Sequence, residues 1–316
     1  MKAIGGYFGL ELNKERVNPH ANAIALNTGR NCLEYILLAK KYSKIYVPYF
    51  TCDVLLEPLK KNKIEYSFYS VDINFEPKFD FATVECDAAF LYTNYFGLKD
   101  IFIKSLNELC ENLIIDNAQS FYSLPENSVD TFYSPRKFFG VSDGGYLYTN
   151  KELDQIFEKD ISYDRFSHLL KRIDLSAEEG YIDFSVNDKS LENNPVRLMS
   201  NLTKTILASV NYDHVAKMRQ KNFRLYENLL SGSNRLNIDA DFMSVPMVYP
   251  YWASNPSIRQ KLLENRVYTA KYWPNVPEWS TADALETEMF ENIIYLPVDQ
   301  RYNESDIKTI IDLINE

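Results

Sequence analysis

The chain has 316 residues, more than one typical domain and enough for a large core. Apolar residues make up 46% and charged residues 25%, the balance of an ordinary folded protein rather than a disordered one. A net charge of −10 argues against a broad attraction to nucleic acid or to an anionic membrane surface, but leaves room for one local basic pocket.

The opening stretch, MKAIGGYFGLEL, lacks the apolar core of a secretory leader. No apolar run approaches the roughly 20 residues that a membrane helix needs, so a cytoplasmic protein is expected. Residues 28–42 carry Leu33, Ile36, Leu37 and Ala39 at helical spacing. Asn27 or Thr28 would cap this helix, and Gly29 lets the backbone turn tightly. A short β-rich run follows at 44–50, then a helix at 54–61 and a strand at 65–71. The apolar stretch 88–93 predicts a strand, 100–111 an amphipathic helix, and 113–115 a buried strand that ends in Asp116. Strands at 130–133 and 145–148 flank a polar, glycine-containing loop. In the second half, helices are expected at 153–173, 197–209, 215–230 and 258–265, a strand at 246–251 and a closing helix at 306–314. Residues 176–194 look polar and irregular.

Strands separated by helical stretches indicate βαβ units and a mainly parallel sheet. The fold class is therefore α/β: a large domain over residues 1–204, with an N-terminal arm, and a smaller C-terminal α/β domain over 205–316. In open α/β sheets ligands collect beyond the carboxyl ends of the strands. Polar residues at those ends, Thr51, Asn94, Asp116 and Gln119, therefore take the functional reading first.

The informative segment is LIIDNAQSFYSLPENSVDTFYSPRKFFGVSDGGYLYTN, residues 113–150. A buried strand delivers the carboxylate of Asp116, and the amide of Gln119 comes three residues later. A Pro-Arg-Lys turn then delivers Lys137, and the loop from Gly140 to Gly145 permits close backbone approach. Pyridoxal phosphate (PLP) chemistry needs such a set. An amine must form a Schiff base with the aldehyde. A carboxylate must keep the pyridine nitrogen protonated so that the ring withdraws electrons. Backbone amides at a helix N-terminus must hold the phosphate, and Gly29, Arg30 and Asn31 open the first helix.

Other features carry plainer readings. Cys32, Cys52, Cys86 and Cys110 form no CxxC pair and none neighbours a histidine at ligand spacing, which argues against zinc or a disulfide framework. His20, His168 and His214 are scattered, so no metal site is expected. Residues 92–97 are either a cleft wall or strand-end packing. The aromatic clusters Tyr249 to Trp252 and Tyr272-Trp273-Pro274 suit a core better than a substrate contact. Lys217, Arg219, Lys221 and Arg224 suit a solvated helix face.

The sequence resembles the DegT/DnrJ/EryC1/StrS family, sugar aminotransferases of PLP fold type I. Its Asp-x-Ala-Gln strand end resembles Asp116-Asn117-Ala118-Gln119, and its Ser-Phe-x-Pro-x-Lys run with a later acidic residue and Gly-Gly resembles Phe132 to Lys137 and Asp143-Gly144-Gly145. Weaker similarities lie at Thr28 to Leu33, at Pro48-Tyr49-Phe50-Thr51, at Pro195 to Ser200, and at Leu296-Pro297 with the closing helix. Cys52 stands where the family often has an aromatic, for which Tyr49, Phe50 or an aromatic of Tyr92 to Phe96 would substitute, and Ser134 is offset by two from the usual serine.

The resemblance implies an enzyme, a transferase of nitrogenous groups, with Lys137 in the imine and as proton shuttle. It pairs Asp116 with the pyridine nitrogen and lays Gln119 against the ring or its phenolic oxygen. Gly29, Arg30 and Asn31 would face the phosphate, with Thr51 and Ser134 nearby, and Tyr92, Asn94, Tyr95 and Arg197 would face substrate. Glutamate would supply the amino group and a nucleotide-linked keto-sugar would receive it, in a homodimer serving polysaccharide biosynthesis. The lysine disfavours the related sugar dehydratases, which carry histidine there. Two alternatives remain: a PLP enzyme for another small keto or amino acid, and a catalytically silent homologue kept as a binding partner in polysaccharide synthesis.

Overall fold

The computed structural model describes residues 4–13, 16–241 and 243–316. The first three residues of the stretch read for a leader lie outside the described residues. Eight strands form the main sheet: β1 (Ile24–Leu26), β2 (Lys44–Pro48), β3 (Glu65–Val71), β4 (Pro77–Lys78), β5 (Ala88–Thr93), β6 (Leu113–Asn117), β7 (Asp130–Tyr133) and β8 (Gly145–Tyr148), in the order β1-β8-β7-β6-β5-β2-β3-β4. The pairs β3/β2, β2/β5, β5/β6 and β6/β7 are parallel. The edge pairs β1/β8, β8/β7 and β3/β4 are antiparallel.

Alternate residues of the central strands feed two separate cores. Ile45 and Val47 of β2, Ala89 and Leu91 of β5 and Ile114 of β6 pack with α1 (Gly29–Lys40) and α2 (Leu56–Lys61) on one face. Tyr46, Phe90, Tyr92, Leu113 and Ile115 point to the other face, where α3 (Asp100–Leu109) and the C-terminal elements pack. Every residue of β5 and β6 is buried, as expected of parallel strands covered on both sides.

After β8 the chain is irregular to about residue 166, then forms a helical hairpin of α4 (Ser167–Asp174) and α5 (Ala177–Ser190). This corrects two expectations. The helix expected over 153–173 is only the short α4, and the stretch expected to be irregular is the helix α5. Ser176 caps α5 by accepting from the Glu179 amide at 3.3 Å. Tyr181, Ile182, Phe184 and Val186 are exposed rather than gathered on a buried stripe, so no helical periodicity marks α5 in the sequence.

Helices α6 (Asn201–Leu207) and α7 (Tyr212–Leu230) lead to a two-stranded antiparallel sheet of β9 (Val248–Trp252) and β10 (Ile293–Pro297). Between these strands lie α8 (Ile258–Glu264), α9 (Val276–Trp279) and α10 (Leu285–Asn292), and α11 (Glu304–Asn315) closes the chain. Rings join this unit to the main sheet: Trp273 stands edge-on to Phe50 at 4.7 Å, and Phe96 meets Tyr295 at 5.1 Å. The aromatic clusters of the C-terminal part are thus core, with Tyr249, Trp252 and Trp273 all buried. No helix among the described residues is long and apolar enough to cross a membrane.

Candidate active site

Asp116 and Lys137 arrive on neighbouring parallel strands. Asp116 of β6 lies in register with Phe132 of β7. The chain then leaves β7 through Ser134 into a single 3₁₀ turn, Pro135–Lys137. Pro135 fits the start of this turn, and Phe138 and Phe139 beyond it are buried, which pins Lys137 from both sides. The Lys137 side chain itself is exposed and makes no hydrogen bond or ion pair with the described residues. The Asp116 carboxyl is buried and accepts from the Ala118 amide at 2.8 Å. Burial pushes it up to about 6, against the downward pull of that amide and of the Lys137 ammonium. The same ammonium pulls down the Cys52 thiol, which burial raises. Lys137, Asp116 and Cys52 therefore share one site.

The strand order reverses between β2 and β5, and this is the crevice where open sheets bind ligands. Thr51, just beyond β2, and Thr93, at the end of β5, bring their hydroxyls to 3.3 Å of each other there. The Thr51 carbonyl accepts from the Asn275 side chain at 2.9 Å, which ties the crevice to the C-terminal part. Gln119 is buried, and its Oε1 accepts from the Phe96 amide at 3.2 Å. This props the turn at Phe96 and Gly97, both at positive φ, where a Cβ on Gly97 would meet Ser120 Oγ at 3.1 Å.

The N-terminus of α1 closes the site from the third side. Thr28 caps it by accepting from the Asn31 amide at 3.0 Å. A Cβ on Gly29 would lie 3.6–3.8 Å from Phe132, Tyr133 and Ser134, which places the first turn of α1 beside the end of β7. The first amides of α1 have no intrahelical acceptor, and the Ser134 hydroxyl accepts or donates no hydrogen bond among the described residues. Together they form a cradle for an anion. The side chains expected in it are turned away. Arg30 is held by Glu57 at 2.7 Å and by the Leu191 carbonyl at 3.0 Å, and Asn31 donates to Glu34 and to the Asn194 carbonyl. At Arg30 only the main-chain amide remains for a ligand, and at Asn31 that amide is already taken by the Thr28 cap.

Three expected substrate contacts belong to the core instead. Tyr92 and Tyr95 are fully buried, and their hydroxyls donate to the carbonyls of Phe75 at 3.0 Å and Phe50 at 2.8 Å. Asn94 is fully buried and donates to Asp100 at 2.7 Å and Asn117 at 2.9 Å. The fourth, Arg197, pairs with Asp160 at 3.5 Å, and its main chain bonds Asn27 rather than the Lys137 site.

Two residues without an assigned role in the sequence shape the site. Asp143 is fully buried and accepts from the Ser200 amide at 3.0 Å, the Ser200 hydroxyl at 2.8 Å and the Thr203 hydroxyl. It fixes the loop before Gly145, which lies directly under Thr28. Its signal was the acid before the paired glycines. Arg219 is buried rather than on a solvated face. It donates to the Pro246 and Met247 carbonyls at 3.2 and 3.0 Å and lies 4.4 Å from the Phe138 ring, next to Lys137.

Solved structures share this architecture. The chain is similar to the sugar aminotransferase CalS13 from Micromonospora echinospora, at 13% identity and a TM-score of 0.64 over 94% of this chain and 87% of that one. It is similar to a DegT DnrJ EryC1 StrS aminotransferase from Brucella abortus, at 18% identity and a TM-score of 0.60 over 93% of this chain and 85% of that one. It is also similar to NtdA from Bacillus subtilis, solved with bound cofactor PMP, at 15% identity and a TM-score of 0.64 over 93% of this chain and 73% of that one. No protein-family model matches the sequence, and no curated protein does. The fold is the one these aminotransferases share, PLP fold type I, as the motifs around Asp116 and Lys137 predicted.

Proposed function

We propose that the chain is a PLP-dependent aminotransferase that moves an amino group from glutamate to a nucleotide-linked keto-sugar. One observation carries the reading: a lysine side chain without hydrogen bond or ion pair, Lys137, lies near enough to a buried carboxyl, Asp116, at the carboxyl edge of the sheet to draw its titration down.

The residues present fit the cofactor. Asp116 accepts one hydrogen bond from the described residues, through Oδ1, so Oδ2 remains for a protonated ring nitrogen. The amides opening α1 and the Ser134 hydroxyl suit a phosphate. Thr51 and Gln119 lie at the crevice where the ring would rest. When bound, PLP supplies an electron sink that stabilises negative charge at the substrate carbon.

The chain's own residues supply the rest. Lys137 Nζ is the anchoring amine and, once released, takes and returns the proton at the substrate carbon. Asp116 holds a proton on the ring nitrogen by staying ionised beside it. Arg219 and the buried Phe138 keep the Lys137 turn in place. In this reading residues 1–204 carry the cofactor and residues 205–316 form the smaller domain. A homodimer in the cytoplasm is part of the proposal, favoured by exposed Tyr7, Phe8 and Leu10 on the arm and Ile173, Tyr181 and Ile182 on the hairpin.

The test is a half-reaction. Protein loaded with PLP should lose its visible band on adding glutamate and regain it with a nucleotide-linked keto-sugar. A band that glutamate and every other amino acid leave unchanged would overturn the reading.

A further inference from the structure

Just beyond β10 the chain turns through Val298 to Tyr302, and the C-terminal part holds this turn firmly. Asn222 of α7 is fully buried, and its Nδ2 donates to the carbonyls of Val298, Asp299 and Tyr302 at 3.1, 3.3 and 3.0 Å. Arg301 forks onto the Asp299 carboxylate at 2.7 and 2.8 Å. Between these fixed residues stands Gln300, whose Nε2 donates to the Phe138 carbonyl at 3.1 Å. Phe138 is the residue directly after Lys137. A carbonyl can only accept, so this bond fixes which end of the Gln300 amide is nitrogen and leaves Oε1 as a pure acceptor.

That oxygen is buried and has no donor among the described residues. A buried acceptor left open is unfavourable and rare. Gln300 and Lys137 line the same cleft of ≈ 450 Å³. Lys137 has the converse deficit: an ammonium with three donors and no hydrogen bond or ion pair among the described residues. The other carboxylates around it are committed, Asp299 to Arg301 and Asp188 to Arg136 at 2.8 Å. His168 of α4 keeps a second open acceptor, Nδ1, in this cleft, but no hydrogen bond joins it to the Lys137 turn. Gln300 is bonded to that turn already.

We propose that Gln300 is a positioning residue for Lys137, its Oε1 receiving the lysine ammonium whenever Nζ is not held by the cofactor. The assignment rests on the reading of Lys137 as the anchoring amine. An amine on a flexible four-carbon stem that must leave, carry a proton and return gains from a fixed resting place. Gln300 supplies one that is tied to the neighbouring main chain, so the acceptor and the base of the lysine stem keep one spacing. Because Gln300 belongs to the C-terminal part, the resting place exists only while that part is docked on the main sheet.

The experiment is trace acetylation of the full-length, ligand-free protein with acetic anhydride at one fixed pH. Mass spectrometry reads the rate at Lys137 relative to Lys217, which is exposed and without an ion pair among the described residues. Gln300→Met removes the acceptor, and Gln300→Glu turns it into a carboxylate. Both lose the donor to Phe138, so a merely structural role would move both in the same direction. The proposal predicts opposite shifts: Lys137 acetylated about tenfold faster in Gln300→Met and about tenfold more slowly in Gln300→Glu. Equal rates in all three proteins, or a shift of both variants in one direction, would overturn it. Wild type loaded with PLP should be protected at Lys137. Absence of that protection would sink the aminotransferase reading, while opposite shifts in the ligand-free variants would still establish Gln300 as the acceptor.

Discussion

The Lys137 ammonium acts on the Asp116 carboxyl, drawing it down against a burial that raises it to about 6. The two reach each other because β6 and β7 run parallel in a register that sets Asp116 opposite Phe132, and a single turn then returns Lys137 over the strand ends. A buried acid with one internal donor is costly to keep ionised. It suits a site that acquires a cation on ligand binding.

Stability of the ligand-free protein should register that cost. The folded Asp116 ionises near 6, above its ordinary 3.8, so between these values the folded protein keeps a proton that the unfolded chain has lost. The contribution is full below about 3.8 and is lost as pH rises to about 6, by roughly 3 kcal/mol. Asp116→Asn removes this fall. Urea denaturation of the ligand-free variant from pH 4 to 7 should give a steeper rise in stability with pH than wild type shows.

His20 works in the opposite sense. It is buried among Phe121, Tyr133, Tyr146 and Tyr148. Its Nε2 donates to the Phe121 carbonyl at 2.7 Å, so Nδ1 accepts from the Tyr148 hydroxyl at 3.1 Å. Burial lowers it from 6.5 to about 4, so below 6.5 the unfolded chain binds a proton that the folded ring refuses. This contribution is present above 6.5 and is lost as pH falls to about 4, by roughly 3 kcal/mol. In His20→Gln, stability should therefore rise less, or fall more, with rising pH between 4 and 6 than in wild type, as the Asp116 slope stands unopposed. Curves of His20→Gln and wild type that run parallel would contradict the His20 assignment.

Gly145→Ala should disturb α1. A Cβ there would lie 2.5 Å from the carbonyl carbon and oxygen of Thr28 and 2.7 Å from Cys32 Sγ, all in packed surroundings. Relief requires moving the helix cap, at about 1–3 kcal/mol. Thermal unfolding should show the loss, and PLP affinity should drop with it. Gly232→Ala, with no neighbour within 4 Å, is the control and should change neither.

Arg219→Met should destabilise by about 2–5 kcal/mol, because the Pro246 and Met247 carbonyls lose their donors and the cation leaves the Phe138 ring. Urea unfolding measures this directly. A loss below about 0.5 kcal/mol would mean that the arginine is a solvated helix residue after all.

Much of the sheet was legible because its strands are continuous β-rich runs bounded by polar turns. The strands at 65–71, 88–93, 130–133 and 145–148 fall where the sequence put them. The pair Asp116 and Lys137 was legible because a strand-end acid and a proline-led lysine turn are local features. What escaped is set by distant contacts. β1 is three residues long and exists through its pairing with β8. Tyr92, Asn94 and Tyr95 sit at the correct edge of the sheet, but their polar atoms are taken by Phe75, Asp100, Asn117 and Phe50 from other parts of the chain. Arg219 looks like any cation on a basic helix until Phe138 and Pro246 are brought against it.

The most direct measurement of the central claim is the visible absorption spectrum of the purified protein with added PLP, beside Lys137→Ala. The Lys137 side chain makes no hydrogen bond or ion pair among the described residues, so the variant should fold normally. The account predicts a visible band of lysine-bound cofactor in wild type that is absent from the folded variant. A band equal in both proteins, or absent from both, would contradict it.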